Sequence, residues 1–446
     1  MGTTYDFDYI IIGSGPAGRM AATKLAKAHK KVAIVEKTAL GGSEINTRNL
    51  PYHIALNFAH TYRNFTNFFN FPAFTNNIDR TIANARAAIM AELNDLDITI
   101  VNGPANFIDS HTIAVEDKKI TSKYFIIATG SKLKTTEISG VDYVNFLTPA
   151  NALRVRRIPK YICIVGGGST GTEIAEFFAT LGSKVIIMER GSHLLPHEDE
   201  DVSSLITDYF THKLGVSVIT NARVAQIAED ETSKIVVFTN GTGEKMVRVE
   251  SIVLATGSEP ILDYGLENAK VDYKHSGIIV DKYFNTSAKN IFAIGDCLGS
   301  KDSSTERAHL EARILTQNLL HRNKFTAKYS GIIRHIDTNI NIANVGLNEL
   351  DATTRDLRYK KSIINLKNVP SIYSPNYQEG FVKLLTNNSG YLIGATIVSK
   401  DANHIIEELA VALTHRISLE TLISTPHPVD TPAAAIPLAI QKILTK

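Results

Sequence analysis

Seven short apolar runs punctuate the chain up to about residue 320. DYIIIG, KVAIVEK, KYFIIATG, YICIVGGG, KVIIMER, SIVLATG and NIFAIGD are rich in Ile and Val, and each leads towards a glycine or a charged end. Continuous apolar runs of this length predict strands buried on both faces, as in parallel sheets flanked by helices. Helical patterns alternate with them. After about residue 325 the pattern changes. IINLKN, GFVKLLTN and YLIGATIVS read as antiparallel strands, and NHIIEELAVALTHR as an amphipathic helix. Ile405, Ile406, Leu409, Val411, Ala412 and Leu413 supply the apolar face of that helix. SLETLIS then starts a second helix with Ser418 as its N-cap. The expectation is an α/β region followed by a separate α+β domain.

The α/β region contains a repeat. DYIIIGSGPAG…KVAIVEK recurs as YICIVGGGSTG…KVIIMER, and both Gly13 to Glu36 and Gly166 to Glu189 span 23 positions. Each copy is followed by a strand ending in ATG, at Ala128-Thr129-Gly130 and Ala255-Thr256-Gly257. Two copies of one nucleotide-binding design explain this most economically.

The first turn, Gly13-Ser14-Gly15-Pro16-Ala17-Gly18, fits GxGxxG. The first glycine makes the tight strand-to-helix turn, the second lets backbone approach a pyrophosphate, and the third lets helix pack on strand. The pyrophosphate sits at the helix N-terminus, where N–H groups and the dipole favour an anion. Glu36, followed by Lys37, is placed to accept hydrogen bonds from ribose hydroxyls. The motif follows a strand, opens a helix and has its acid about 20 residues on, which is the context that gives it weight. Gly166-Gly167-Gly168-Ser169-Thr170-Gly171 repeats the argument with Glu189 as the acid. A carboxylate there repels a 2′-phosphate and favours NADH over NADPH, although Arg190 follows it directly. The same residues also fit GxSxG with Ser169 at the centre, a hydrolase elbow, but the acid-terminated βαβ context explains them without a nucleophile. Two dinucleotide turns point to two cofactors exchanging a hydride, for which a nicotinamide and a flavin are the natural pair.

Composition narrows the class without naming it. The chain has 446 residues, 44% hydrophobic and 21% charged, with a net charge of +2. Nothing in that balance asks for nucleic acid or an anionic membrane. No apolar run approaches the ~18 residues of a membrane helix. The N-terminus reads as neither secretory signal nor transit peptide. The two cysteines, Cys163 and Cys297, form no CxxC, CxxxxC or zinc spacing, and no metal site is expected. A cytoplasmic location with reduced thiols is the simplest expectation.

The order GSGPAG, GG-S-x-x-N, ATG, GGGSTGTEIAEFF, KVIIMER, ATG, IFAIGD and a C-terminal HP resembles the flavoprotein disulfide reductases over nearly the whole chain. The nearest branches are dihydrolipoamide dehydrogenase, mercuric reductase and soluble transhydrogenase. The resemblance implies two Rossmann-like dinucleotide-binding domains, for FAD and NAD(P)H, plus a C-terminal α+β dimerisation domain and a homodimer. The expected divisions are 1–147 for the FAD domain, 148–265 for the NAD(P) domain, 266–324 for the returning FAD segment and 325–446 for dimerisation. It implies that Gly42, Ser43, Thr129, Gly130 and Asp296 join the first turn on FAD. Glu173 would lie near the nicotinamide, and Gly257 would contact the dinucleotide.

The resemblance breaks where the family carries its dithiol. The family motif is GGTCLNxGCxPSK. This chain reads GGSEINTRNLPYH from Gly41 to His53. Glu44 and Asn49 stand in place of the two cysteines, and His53 in place of the lysine. In the C-terminal HPTLSE motif the carboxylate that orients the family's His has become Pro432, and His427 either donates a proton near the flavin or is a helix-entry His with no catalytic task. Glu44, Asn49, His53 and His427 are therefore the candidate groups on the acceptor side of the flavin, able to bind and protonate an acceptor but not to take electrons. Glu44 either acts as an acid or pairs with Arg48 at i+4. The aromatic stretch Phe58, Tyr62, Phe65, Phe68, Phe69, Phe71 and Phe74 either lines a pocket for a flat acceptor or belongs to the core or an interface. The expected function is FAD-dependent transfer from NAD(P)H to a small-molecule acceptor of quinone or dye type. Hydride exchange between NADH and NADP⁺, and a flavin-binding sensor whose catalysis has lapsed, remain as alternatives.

Overall fold

A computed structural model describes residues 4–62, 71–134, 138–241, 243–300, 303–321 and 324–445, without the side chains of Tyr62, Phe71 and Asn376. The chain divides into two compact units: residues 1–54, 70–134 and 256–327 form one, and residues 55–69, 135–255 and 328–446 the other. Among the described residues no helix is long and apolar enough to cross a membrane.

The first unit is built on one mixed sheet. Its order is Thr99–Asn102, Val32–Glu36, Phe7–Ile12, Lys118–Ile127, Thr112–Val115, Ala105–Asp109, and Ile291–Ala293 also pairs with Lys118–Ile127. Phe7–Ile12 runs parallel to Val32–Glu36 on one side and to Lys118–Ile127 on the other. The long strand Lys118–Ile127 is shared. Its start pairs antiparallel with Thr112–Val115 and its end pairs parallel with Ile291–Ala293. Alternate residues of Phe7–Ile12 enter two separate cores, Tyr9 and Ile11 on one face and Ile10 and Ile12 on the other. Burial on both faces is why these strands write as unbroken apolar runs. The parallel strands end in register, Ile12 opposite Val35 and Ile127, and Ala293 opposite Ile127. Their carboxyl ends therefore open on one edge, the usual place for a ligand in such sheets.

The second unit repeats the plan and adds to it. Ser217–Ile219, Lys184–Met188, Tyr161–Val165 and Ser251–Leu254 form a parallel sheet in that order. Three antiparallel strands, Arg223–Glu229, Lys234–Thr239 and Glu244–Val249, form a second sheet. The C-terminal part is a five-stranded antiparallel sheet in the order Ile333–Ile336, Asn341–Gly346, Leu392–Ser399, Phe381–Thr386, Lys360–Asn365. Helices Ala402–Thr414, Leu419–Leu422 and Ala435–Leu444 share one apolar core with it. Ser418 caps its helix by accepting from Thr421 N, as the sequence predicts. One residue departs from expectation. Ile406, Leu409, Ala412 and Leu413 are buried on Ala402–Thr414, but Val411 is 53% exposed. Leu409, Ala412 and Leu413 follow the i, i+3, i+4 row, and Val411 falls between them on the outer face.

Candidate functional site

The glycines of the first turn differ in what a side chain would meet. Gly13 has φ +106°, and a Cβ there would lie 2.3 Å from Ala128 O. A Cβ on Gly18 would lie 1.9 Å from Gly13 O. Both positions are fixed by backbone packing. Gly15 is different, because a Cβ there meets nothing within 4 Å. Gly15 is also the N-cap of helix Pro16–Lys27, no side chain caps it, and Pro16 opens the helix. A helix start with no side-chain cap, beside open space, is an anion cradle.

The groups around this turn converge on it. Buried Glu36 accepts from Ser14 N at 3.0 Å and Ser14 Oγ at 2.7 Å through one oxygen, and from Thr38 N at 2.9 Å through the other. Ser14 Oγ in turn accepts from Gly41 N at 3.0 Å. Gly42 has φ +61° and approaches so closely that its Cβ would stand 2.6 Å from Gly15 Cα. Gly130 has φ +73° and open space where a Cβ would be. Thr129 Oγ1 lies 3.3 Å from Tyr264 Oη. Asp296 accepts from Ser131 Oγ at 3.1 Å. Its neighbour Gly295 donates to the fully buried Glu311 at 2.7 Å, which Arg307 Nε holds at 2.8 Å. Lys37 and Ser43 are exposed. A turn held from below and open above, with Asp296 half-exposed beside it, fits a dinucleotide.

The run that replaces the dithiol folds into the same unit. Helix Gly42–Asn46 is five residues long. Asn46 clasps it, donating to Ala39 O, Leu40 O and Gly42 O and accepting from Arg86 Nε at 2.6 Å. Glu44 lies 3.4 Å from Arg19 Nη2, so its ion pair is made with the phosphate helix. The alternative pairing with Arg48 fails because the helix stops at Asn46 and the i+4 geometry is lost. Arg19 was not anticipated. A cation one turn into a helix opposes the dipole there, and Glu44 offsets it. Asn49 donates to Thr305 Oγ1 at 3.1 Å, and His53 is exposed on helix Asn49–Tyr62. Burial holds the His309 imidazole below its ordinary value, while Glu44 pulls it upward. Phe74 is fully buried and Phe58 half-buried. Phe65, Phe68 and Phe69, and the side chains of Tyr62 and Phe71, lie outside the described residues.

The second unit repeats the turn. Gly166 has φ +112°, and a Cβ on Gly171 would lie 1.9 Å from Gly166 O. Gly168, the uncapped N-cap of helix Ser169–Thr180, again has open space. Glu189 accepts from Gly167 N at 2.7 Å and Gly191 N at 2.6 Å. Ser169 is exposed at the first helical position and Thr170 is half-buried. Glu173 accepts from Asp337 N at 3.0 Å. Gly257 falls in the first unit, with φ +96° and its carbonyl accepting from Lys134 N. This turn fits a second dinucleotide on the same grounds as the first.

His427 is not alone. Its Nε2 lies 3.0 Å from both carboxylate oxygens of Glu408, on helix Ala402–Thr414. Its carboxylate partner thus comes from an earlier helix, 19 positions before it. The two cysteines are free and buried. Burial pushes the Cys163 thiol up to about 12 and raises that of Cys297 as well.

Two glycine turns, each at the carboxyl ends of parallel strands, are the arrangement of a protein that holds two dinucleotides. A family model described as pyridine nucleotide-disulphide oxidoreductase matches residues 7–312, and one for the dimerisation domain of the same family matches 333–439. The chain belongs to that family and is an FAD-dependent pyridine nucleotide oxidoreductase. It is 29% identical to a dihydrolipoyl dehydrogenase of Bacillus subtilis (strain 168), covering 94% of this chain and 93% of the relative. It is 27% identical to a mercuric reductase of Bacillus cereus, covering 98% of this chain and 71% of the relative. Its fold matches a Cu(II) complex of the HOCl-induced flavoprotein disulfide reductase RclA from Escherichia coli, with TM-score 0.90 and 24% identity over 99% of this chain and 100% of that one.

Proposed function

We propose that this enzyme passes electrons from NAD(P)H, NADH for preference, through FAD to a small non-disulfide acceptor of quinone or dye type. The observation that carries this reading is the chemistry at positions 44 and 49, where a carboxylate paired with Arg19 and an amide bonded to Thr305 replace two thiols. Neither group takes electrons. FAD, when bound, would supply the two-electron redox chemistry that neither group can.

The chain's own residues bind and orient. The first turn, Gly13 to Gly18, would hold FAD at the start of helix Pro16–Lys27, with Glu36 and Asp296 as further holding residues. The second turn, Gly166 to Gly171, takes the nicotinamide nucleotide. Glu189, fixed by two backbone amides, keeps a carboxylate where NADPH would bring its 2′-phosphate. Glu44, Asn49 and His53, with His427 contributed by the partner of a homodimer, would line the acceptor side, where the imidazoles would supply the proton the acceptor needs. Buried, unpaired thiols support a reducing, cytoplasmic setting.

Anaerobic titration of the FAD-loaded protein with NADH tests the reading, followed by turnover with quinones, dyes, an NADP⁺ analogue, lipoamide and glutathione. Full bleaching at one hydride per flavin, and turnover with quinones or dyes, are expected. Reduction of the NADP⁺ analogue alone moves the assignment to hydride exchange. A second hydride equivalent, or turnover with lipoamide or glutathione, overturns it.

A further inference from the structure

Helix Ser169–Thr180 starts at the second glycine turn and carries two glutamates one turn apart, Glu173 and Glu176. Both bond to the same short segment of the C-terminal sheet domain. Glu173 Oε1 accepts from Asp337 N at 3.0 Å, and Glu176 Oε2 accepts from Asn339 N at 2.8 Å. The other oxygen of Glu176 accepts from Tyr209 Oη at 2.6 Å. Glu176 is fully buried, Tyr209 nearly so, and His60 Nε2 stands 3.7 Å from the carboxylate. The segment is stiff in itself. Thr338 Oγ1 donates to Ile340 O at 2.7 Å, and Asn341 Nδ2 donates to Thr338 O at 2.7 Å.

A buried carboxylate is retained at a cost and has to be fully hydrogen-bonded. Glu176 is, and its partners come from two different elements. The consequence falls on Glu173. The amide that holds Glu173 is two residues from the amide that holds Glu176, in a segment with little freedom to move. A carboxylate held in advance loses less entropy when it meets its ligand than one that swings freely.

We propose that Glu176 is a positioning residue of the nicotinamide nucleotide site: it fixes the segment Asp337–Asn339, and through the Asp337 amide fixes the carboxylate of Glu173. The proposal rests on the reading that the second turn binds the nicotinamide nucleotide with Glu173 beside it. Sequence alone does not reveal it, because Glu176 reads as one more polar residue in a helix and Asn339 lies 163 positions away.

A double-mutant cycle tests it. NADH affinity is measured by equilibrium fluorescence titration of the FAD-loaded wild type, E173Q, E176M and E173Q/E176M, with thermal midpoints recorded without NADH. E176M weakens NADH binding about tenfold, a change of ~1.4 kcal/mol. The double variant binds no worse than E173Q alone, because Glu176 acts through Glu173. Y209F, which keeps the Asn339 bond, weakens binding in the same direction by roughly two- to threefold and covers the case in which E176M does not fold. Binding within twofold of wild type in E176M, or in Y209F if E176M does not fold, overturns the proposal, as do losses that multiply in the double variant. An unchanged affinity in E173Q overturns the nicotinamide reading itself, and the proposal with it.

Discussion

His427 Nε2 sits 3.0 Å from Glu408, and the imidazole is 5% exposed. The Glu408 side chain, 31% exposed on helix Ala402–Thr414, thus gives this histidine a carboxylate partner that Pro432 does not offer. A hydrogen bond to a charged partner is worth about 1.5–3 kcal/mol when it is buried. E408A is expected to lower unfolding stability by roughly that amount in urea titration. It is also expected to slow reoxidation of the flavin by acceptor while leaving reduction by NADH unchanged, read by stopped flow. Equal losses in both half-reactions would take His427 out of the acceptor side.

The glycines of the two turns predict separable phenotypes. G18A forces a Cβ to 1.9 Å from a backbone carbonyl and is expected to lose soluble folded protein. G15A clashes with nothing in the protein, so it is expected to keep its circular dichroism and apoprotein melting point yet lose bound FAD on gel filtration. G168A is the matching change in the second turn. It is expected to retain FAD and weaken NADH binding by tenfold or more. Loss of FAD in G168A with normal NADH binding would reverse the assignment of the two turns.

Much of this was legible in the sequence, for a physical reason. Strands buried on both faces must be apolar at every position, so Ile10, Ile11 and Ile12 announce the first strand without reference to anything distant. The glycine turns were legible because Gly13 and Gly18 answer to backbone geometry at a fixed spacing. What stayed hidden depends on where elements stop and on contacts of no fixed spacing. Glu44 reads as a partner of Arg48 only if the helix runs on, and it ends at Asn46. Arg19 reaches Glu44 across 25 positions, and Glu408 reaches His427 across 19, with no periodicity to connect them. Val411 is apolar yet faces outward, so hydrophobicity alone does not place a residue on the buried face of its helix.

Both thiols are buried and free, and burial raises the pKa of each, so the reactive thiolate is scarce at pH 8. The native enzyme is expected to give no reaction with an aromatic disulfide reagent over minutes, and two equivalents once unfolded without reductant. NADH reduction is expected to expose no new thiol. One or more thiols appearing on reduction would reveal a redox disulfide and remove the reason for assigning a direct acceptor.

Lys383 supplies a test of stability and its pH dependence. Its side chain is 1% exposed, and its ammonium lies 2.6 Å from Asp199, 2.7 Å from Asp201 and 3.2 Å from Glu349. Burial pulls the Lys383 pKa down, but the hydrogen bonds to Asp199 and Asp201 outweigh it and hold it above 10.5. Burial pushes Glu349 up, but Lys361 and Lys383 outweigh it and hold it below 4.5. The lysine's stabilisation is therefore complete below the unfolded pKa of about 10.4 and is lost as pH rises through the higher folded value. The stabilisation from Glu349 is present above about pH 4.3 and is lost as pH falls through the lower folded value. K383M removes the cation that Asp199 and Asp201 share and leaves Glu349 with Lys361 alone. It is expected to cost about 3–5 kcal/mol near neutral pH. Because protonation relieves Asp199 and Asp201 once Lys383 is gone, the gap between variant and wild type should narrow as pH falls towards 4 in urea titrations. A gap that stayed constant from pH 7 to pH 4 would mean that lost packing, not uncompensated charge, destabilises the variant.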